Sequence, residues 1–344
     1  MQAVSFDRTG PSSVLTIGER PVPKPDAGEV LVRVVVSGVN PTDWKFRQGA
    51  AGPGTVLPAA QVPNQDGAGV IEEVGPEVAD RTVGQPVWLW DAAWQRTEGT
   101  AQEYVVLPAA QAVPLPAGES FDTGASLGIP ALTAHRTLTA REDGPARLAP
   151  HTLDGSIVLV SGGAGAVGHA AIQLAVWAGA TVITTVSDDR KAALARAAGA
   201  QHVINYREPD TAGRIRALAP DGVNLIVEVN VAANLGLDLD VIAIGGTISI
   251  YASGPDDPIP VPLRLSMTKN VRYQFILTYV TTPEQKQNAV AAVGDALAAG
   301  HLRVGPEHGL PITRFPLTAT AAAHDAVENG TIGKVLIDVP TPLS

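Results

Sequence analysis

Residues 157–186, IVLVSGGAGAVGHAAIQLAVWAGATVITTV, leave this chain few folds to choose from. A β-branched run, Ile157–Val160, leads into Gly163-Ala164-Gly165-Ala166-Val167-Gly168. Apolar residues then recur at helical spacing at Val167, Ala171, Leu174 and Ala178, and Gly179 precedes a second β-branched run, Thr181–Val186. This is a strand, a G-x-G-x-x-G turn, a helix and a strand, in the length that a βαβ crossover needs. In such a unit Gly163 permits the tight bend and Gly165 lets backbone N–H groups approach a pyrophosphate. Gly168 lets the helix sit close on the strand. The helix N-terminus adds unpaired donors and the positive end of its dipole. We therefore expect a dinucleotide on the backbone of Gly163, Ala164, Gly165, Ala166, Val167 and Gly168.

The rhythm around this unit sets the fold class. Strands are expected at 157–161, 181–186, 202–206, 225–229, 246–251 and 271–277, with helices at about 166–178, 189–198, 211–219 and 232–243. Six strands with right-handed crossovers make a doubly wound parallel sheet, with the ligand at the carboxyl ends of its strands. The earlier residues read as β-rich, with strands at 29–36 and 68–74, proline-marked loops at 21–25 and 53–63, and a helical start near Phe121. A helix at 283–299, a helix at 319–328 and a strand at 334–339 lie beyond the six-strand unit and are expected to return to the first domain. The predicted division is 1–125 with 279–344 for one domain and 126–278 for the other. At 344 residues the chain exceeds one ordinary core, which agrees with two domains.

Composition excludes several classes of function. A net charge of −10 with no basic stripe argues against a nucleic-acid partner. No apolar run reaches membrane-spanning length, and MQAVSFDRTG does not resemble a secretory leader. The chain has no cysteine, so it has no disulfide or thiolate metal site, and a cytoplasmic location is expected.

Cofactor choice turns on the end of the second strand of the unit, where enzymes using NAD place an acidic residue on the ribose 2′-hydroxyl. Here Ser187 stands there, followed by Asp188, Asp189, Arg190 and Lys191. Serine is neutral and can donate to a phosphate, and Arg190 and Lys191 can supply the opposing charge, so NADPH is favoured over NADH. The same residues also suit a helix start, with Ser187 as cap, the aspartates at the dipole and the cations solvated.

The chain resembles the medium-chain dehydrogenases/reductases, and within them the zinc-free quinone oxidoreductase, or zeta-crystallin-like, family. The stretches that carry the likeness are GVNPTDWKFRQG at 38–49, NQDGAGVIEEVG at 64–75, EYVVLP at 103–108, SLGIPALTAHRTL at 126–138, VLVSGGAGAVGHAAIQLA at 158–175, GAQHVINYRE at 199–208 and GTIGKVLIDV at 330–339. The resemblance implies an α/β chain: a discontinuous GroES-like β-rich catalytic domain plus a Rossmann domain with a six-stranded parallel sheet. Zinc-dependent relatives carry metal ligands where this chain has Asp43 and Gln65-Asp66, so no metal is expected.

The resemblance also implies roles. Asn40 would lie by the nicotinamide and substrate, and is equally suited to the turn before Pro41. Thr133 would contact the nicotinamide end. Ser187, Lys191 and Tyr206 match positions that hold a 2′-phosphate. Asn230, Tyr251 and Ser253 follow the fourth and fifth strands, and Lys334 belongs to a loop closing over the cofactor. Some members have tyrosine in place of Lys45; a lysine there can stabilise an enolate, or be a surface residue on a turn. Trp44, Trp90 and Trp94 can line an apolar cleft for a flat substrate or simply fill the first domain's core. The seven histidines read as structural or surface residues.

The implied activity is NADPH-dependent, zinc-independent hydride transfer to a quinone or a related α,β-unsaturated carbonyl. The alternatives are an enoyl-thioester reductase of the same superfamily and a low-turnover NADPH-binding redox sensor or structural protein. A homodimer is expected through the sheet edge that the last strand leaves open.

Overall fold

The computed structural model describes residues 1–49, 52–252 and 258–340. They form two compact units, Met1–Ile129 together with the tail from Ile312, and Pro130–Pro311.

The first unit begins with β1 (Gln2–Arg8), β2 (Thr16–Glu19), β3 (Glu29–Val39), α1 (Pro41–Gln48), β4 (Val56–Gln61), β5 (Asp66–Val74), β6 (Pro86–Leu89), β7 (Tyr104–Pro108) and β8 (Ala112–Pro114). The spine is β3, which pairs antiparallel with both β5 and β7. Val30, Val32 and Val34, two residues apart on β3, share one face and enter the core with Ile71, Val87, Leu89, Val105 and Leu107. After β8 comes α2 (Phe121–Leu138), which is broken at Gly128 by non-helical dihedrals just before Pro130. A Cβ on Gly128 would collide with the Asp66 carboxylate. The break also turns the Ile129 N–H out of the helix ladder and onto Asp66 Oδ1, at 2.8 Å.

The second unit continues with β9 (Ile157–Ser161), α3 (Ala166–Trp177), β10 (Thr181–Val186), α4 (Asp189–Ala197), β11 (His202–Asn205), α5 (Thr211–Leu218), β12 (Val223–Glu228), α6 (Val231–Val241), β13 (Ile242–Ile250), α7 (Leu263–Lys269), β14 (Arg272–Phe275) and α8 (Pro283–Ala298). Its sheet has the order β11-β10-β9-β12-β13-β14, with every pairing parallel. The central strands are apolar almost throughout, as strands covered by helices on both faces must be. Leu159 sits between Ile183 and Ile226, all three fully buried.

The tail adds β15 (Ile312–Pro316), α9 (Thr320–Glu328) and β16 (Lys334–Asp338) to the first unit. There β15 lies parallel to β16, and β16 lies antiparallel to β3.

Two expectations need correction. Residues 279–311 pack with the second unit, so the division falls at 311 and not at 278. The reason is specific contact with α3: the Gln173 amide donates to the Arg303 carbonyl and accepts the Arg303 N–H, both at 3.2 Å, and the His169 ring meets the His308 carbonyl at 2.8 Å. The last strand is also shorter than expected, 272–275, because the chain turns into a 3₁₀ segment at Thr278–Val280. α7 was not foreseen. Its Leu263, Leu265 and Met267 are exposed, so it has no apolar stripe to betray it. Among the described residues no helix is long and apolar enough to cross a membrane.

Candidate active site

The glycine turn is built by close approach. A Cβ on Gly163 would collide with Thr184 Oγ1 of β10, and one on Gly168 would collide with the Gly162 carbonyl oxygen. The Thr184 hydroxyl is itself fixed, donating to the Val160 carbonyl at 2.7 Å. Gly165 is the N-cap of α3 and, having no side chain, leaves the first-turn N–H groups of Ala166, Val167 and Gly168 uncapped by it. Gly165 is exposed, Val167 half-buried and Ala164 buried. The result is a glycine-lined turn at a helix N-terminus that offers backbone donors to an anion.

At the end of β10 the Ser187 hydroxyl donates to Asp188 Oδ2 at 2.9 Å and accepts from Lys191 Nζ at 2.8 Å. Asp188 caps α4 by accepting the Lys191 N–H. That N–H, the Ser187 hydroxyl and the nearby cations Lys191 and Arg207 hold its carboxyl below the usual carboxylate range. Arg190 is exposed on the first turn of α4. Tyr206, half exposed, follows β11, and its N–H reaches the Val186 carbonyl at 3.0 Å. Ser187, Lys191 and Tyr206 therefore converge at the ends of two neighbouring strands. Arg207 joins them, a cation that sequence reasoning passed over although it adjoins Tyr206.

The ends of β12 and β13 meet at Glu228. It is fully buried and accepts from the Ser161 hydroxyl at 2.7 Å, from Asn234 Nδ2 at 2.9 Å and from the Asn230 N–H. Its carbonyl accepts the Tyr251 N–H at 3.1 Å. Asn230 is the N-cap residue of α6 and Tyr251 is half-buried after β13. Ser253 lies outside the described residues. Thr133 is buried on α2.

In the first unit four polar residues gather. Asn40, N-cap residue of α1, donates from Nδ2 to Asp66 Oδ2 at 2.7 Å, and its Oδ1 accepts from Lys334 Nζ at 2.7 Å. Lys334 Nζ also lies 3.3 Å from Asp66 Oδ2. Asp43 accepts the Asn40 N–H at 2.7 Å. All four are buried. Burial raises both carboxyls, Asp43 to about 8 with Asp66 repelling it, and Asp66 less freely because Lys334 and Asn40 oppose the rise. The single cation sits on Asp66, so Asp66 keeps the charge and Asp43 holds a proton. Lys334 is thus not a loop residue reaching outward. It opens β16, is 1% exposed and points into the first unit, because Asp66 and Asn40 satisfy its ammonium there.

The other expected residues of this unit divide. Lys45 is exposed on α1 with its Nζ 5.7 Å from the centre of the Trp44 ring, a cation–π distance. Trp90 is buried, while Trp44 and Trp94 are half-buried. Among the histidines, burial pushes His135 and His169 down to about 4 and His324 down to about 3. Each holds a structural bond, to Leu148 N–H, the His308 carbonyl and Asn64 Oδ1 respectively.

A quinone oxidoreductase of Sus scrofa is 30% identical over 337 residues, covering 96% of this chain and 95% of that protein. The chain belongs to the quinone oxidoreductase family of medium-chain dehydrogenases/reductases. It is an oxidoreductase of that superfamily, with the GroES-like and Rossmann domains of the family. Residues 26–117 match the model of the alcohol dehydrogenase GroES-like domain, and residues 166–294 that of the zinc-binding dehydrogenases. A 2-haloacrylate reductase of Burkholderia is 31% identical over 349 residues, covering 98% of each chain. The solved Escherichia coli quinone oxidoreductase complexed with NADPH is 26% identical, with a TM-score of 0.79, over 98% of this chain and 100% of that one. A solved NAD-dependent alcohol dehydrogenase is 28% identical, with a TM-score of 0.84, over 99% and 100%.

The name of the second matched model raises the question of zinc. The donor set does not fit it. The chain has no cysteine, and among the described residues no group of three or more His, Asp and Glu is placed to hold a metal ion. Asp66, the carboxylate of the catalytic-domain cluster, is already engaged by an ammonium and an amide. A dinucleotide does fit the second unit, because α3 opens at Gly165 with no side-chain cap on its first-turn N–H groups, and Gly163 and Gly168 leave the turn as tight as a backbone approach requires.

Proposed function

We propose that the protein is an NADPH-dependent reductase of quinones or related α,β-unsaturated carbonyls, working without zinc. The observation that carries this reading is the pairing of a glycine cradle at 163–168 with Ser187, Lys191, Tyr206 and Arg207 at the neighbouring strand ends. The NADPH complex of the E. coli relative supports the same choice of nucleotide. Bound NADPH supplies the reducing hydride.

This chain's residues hold and polarise. Gly163, Ala164, Gly165, Ala166, Val167 and Gly168 bind the diphosphate through backbone N–H groups and the dipole of α3. Lys191 and Arg207 bring positive charge to the 2′-phosphate, with Lys191 exchanging part of its contact with Ser187 for the phosphate. Asn230, Tyr251 and Thr133 serve the nicotinamide end. In the other unit Asp66 and Lys334 clamp the Asn40 amide at both ends and fix its plane. An asparagine amide has two N–H donors, and the one not given to Asp66 is free to stabilise negative charge growing on a substrate oxygen. Lys45, on the exposed side of α1, adds a positive field for the same charge.

The test is stopped-flow oxidation of NADPH and of NADH with 1,4-benzoquinone, 9,10-phenanthrenequinone and a short alkenal. NADPH should be preferred by at least about tenfold in kcat/KM, since one lost charge-assisted contact costs roughly 1.5–3 kcal/mol. Ser187→Asp with Lys191→Ala should bring the ratio towards NADH. An unchanged ratio would remove the 2′-phosphate assignment. Saturable NADPH binding without turnover on any of the electrophiles would leave a nucleotide sensor in place of a reductase.

A further inference from the structure

The second unit buries two carboxyls against each other with no cation between them. Glu228 ends β12 at the carboxyl edge of the sheet, and Asp238 lies on the inner face of α6; both are 0% exposed. Asn234 and Asp238 are one turn apart on α6 and so share a face, which looks onto Glu228. Glu228 accepts three donors, the Ser161 hydroxyl, the Asn230 N–H and Asn234 Nδ2. Among the described residues neither oxygen of Asp238 meets an N–H or O–H donor. A buried carboxylate without donor or cation is untenable at this depth. The group that faces Asp238 is Glu228, whose charge raises it further beyond burial itself. α5 and β13, packed on the same helix, bring no cation against it. Tyr251, facing Glu228 from the end of β13, is held neutral by burial and by that same charge. A proton on Asp238 resolves the pair: Asp238 becomes a donor, and Glu228 keeps one negative charge for its three other donors.

We propose that protonated Asp238 is a positioning residue for the dinucleotide site, locking Glu228 so that it ties Ser161, Asn230 and the Tyr251 N–H into one fixed strand-end floor, and that loss of its proton loosens that floor. This rests on the reading of the 163–168 turn and its neighbouring strand ends as the dinucleotide site. Ser161 immediately precedes the glycine turn, and Asn230 opens the helix at the sheet position where the fold receives its ligand. A second negative charge there would both repel Glu228 and oppose an anionic cofactor. Binding should therefore weaken on the alkaline side.

The experiment is titration of the full-length protein with NADPH at pH 7 and pH 9.5, for wild type, Asp238→Asn and Glu228→Gln. Asparagine keeps a donor and a neutral side chain but has no proton to lose. Wild type should lose at least about fivefold in affinity between the two pH values, whereas Asp238→Asn should bind as wild type at pH 7 and change less than twofold. Glu228→Gln should bind at least tenfold more weakly at both. An alkaline loss in Asp238→Asn equal to that of wild type overturns the positioning role while leaving the dinucleotide site standing. No saturable binding of NADPH or NADH by wild type at pH 7 overturns both together. Because a variant can misfold, the carboxyl carbon of Asp238 is also followed by ¹³C NMR in nucleotide-free wild type. A resonance that stays protonated past pH 7 supports the proton; one that titrates near pH 4 overturns it.

Discussion

Each unit of this protein buries a pair of carboxyls beside its candidate site residues, and the two units neutralise them differently. In the first, Asp66 is matched by Lys334 at 3.3 Å and Asp43 is left to hold a proton. In the second, Glu228 and Asp238 have no cation, and one proton serves both. A lysine is a counter-charge whose position is fixed covalently in β16. A proton is exchangeable, and its occupancy follows the solvent. The first arrangement holds the Asn40 amide between a carboxylate and a covalently placed cation, while the second relies on a proton alone.

The sharpest way to break this contrast is to remove the lysine. Lys334→Met leaves Asp66 buried without its cation and should cost about 3–5 kcal/mol at pH 7, read as a shift in the urea midpoint. Adding Asp66→Asn should recover part of that loss. Asp238→Asn, which replaces a group already neutral, should cost less than about 1 kcal/mol in the same measurement. Equal losses for Lys334→Met and Asp238→Asn would erase the distinction.

pH separates the pairs from the histidines. Asp43 has its folded value raised to about 8, and Asp238 is raised as well, against an unfolded carboxyl near ~3.9. Their contribution to stability is full below the unfolded value and is lost as pH rises through the folded values. His135, His169 and His324 are shifted the other way, so theirs is full above the unfolded histidine value of ~6.5 and is lost on acidification. Between about pH 4 and 6.5 the two sets oppose one another. Above that the histidines fall silent and the carboxyls act alone. Melting temperature should therefore decline from pH 6.5 to 9.5, and Asp43→Asn or Asp238→Asn should each flatten the decline. A level or rising wild-type curve would contradict the protonated state of both pairs.

The smallest effect on stability concerns an exposed cation. Lys45→Ala removes a charge that lies over Trp44 and bridges no buried acid. It should leave thermal stability almost unchanged while lowering turnover more than NADPH affinity, measured as kcat against the nucleotide Kd. Wild-type turnover would make Lys45 a surface residue only.

How much of this was legible beforehand depends on distance along the chain. The βαβ unit was readable almost to the residue, because strand, turn and helix signals are local. β9 and β10 lie where expected, and α3 ends one residue early. The cluster around Asn40 was not readable. Its lysine is 294 residues from Asn40 and 268 from Asp66, and only the pairing of β16 with β3 brings them together. Glu228 had a faint signal, a charge ending an otherwise apolar strand, VNLIVE. Asp238 had none, since an aspartate on a helix is ordinarily solvated. The stretch 279–311 was misassigned because its helix signals say nothing about which unit it packs against. Gln173 and His169 decide that through contacts far apart in sequence.

The contact between Gly163 and the Thr184 hydroxyl has a further bearing on how such a chain can change. Two adjacent strands are wedged together where the turn leaves the sheet, and the hydroxyl already occupies the space that a larger residue would take. A side chain at Gly163 or Gly168 would force the turn apart. On the proposed reading, drift of this lineage between nucleotides runs more easily through the neighbouring strand ends, where Ser187 is buried but Lys191 is half-buried and Arg207 exposed. A library meant to redesign its appetite for one coenzyme over another should be confined to those positions.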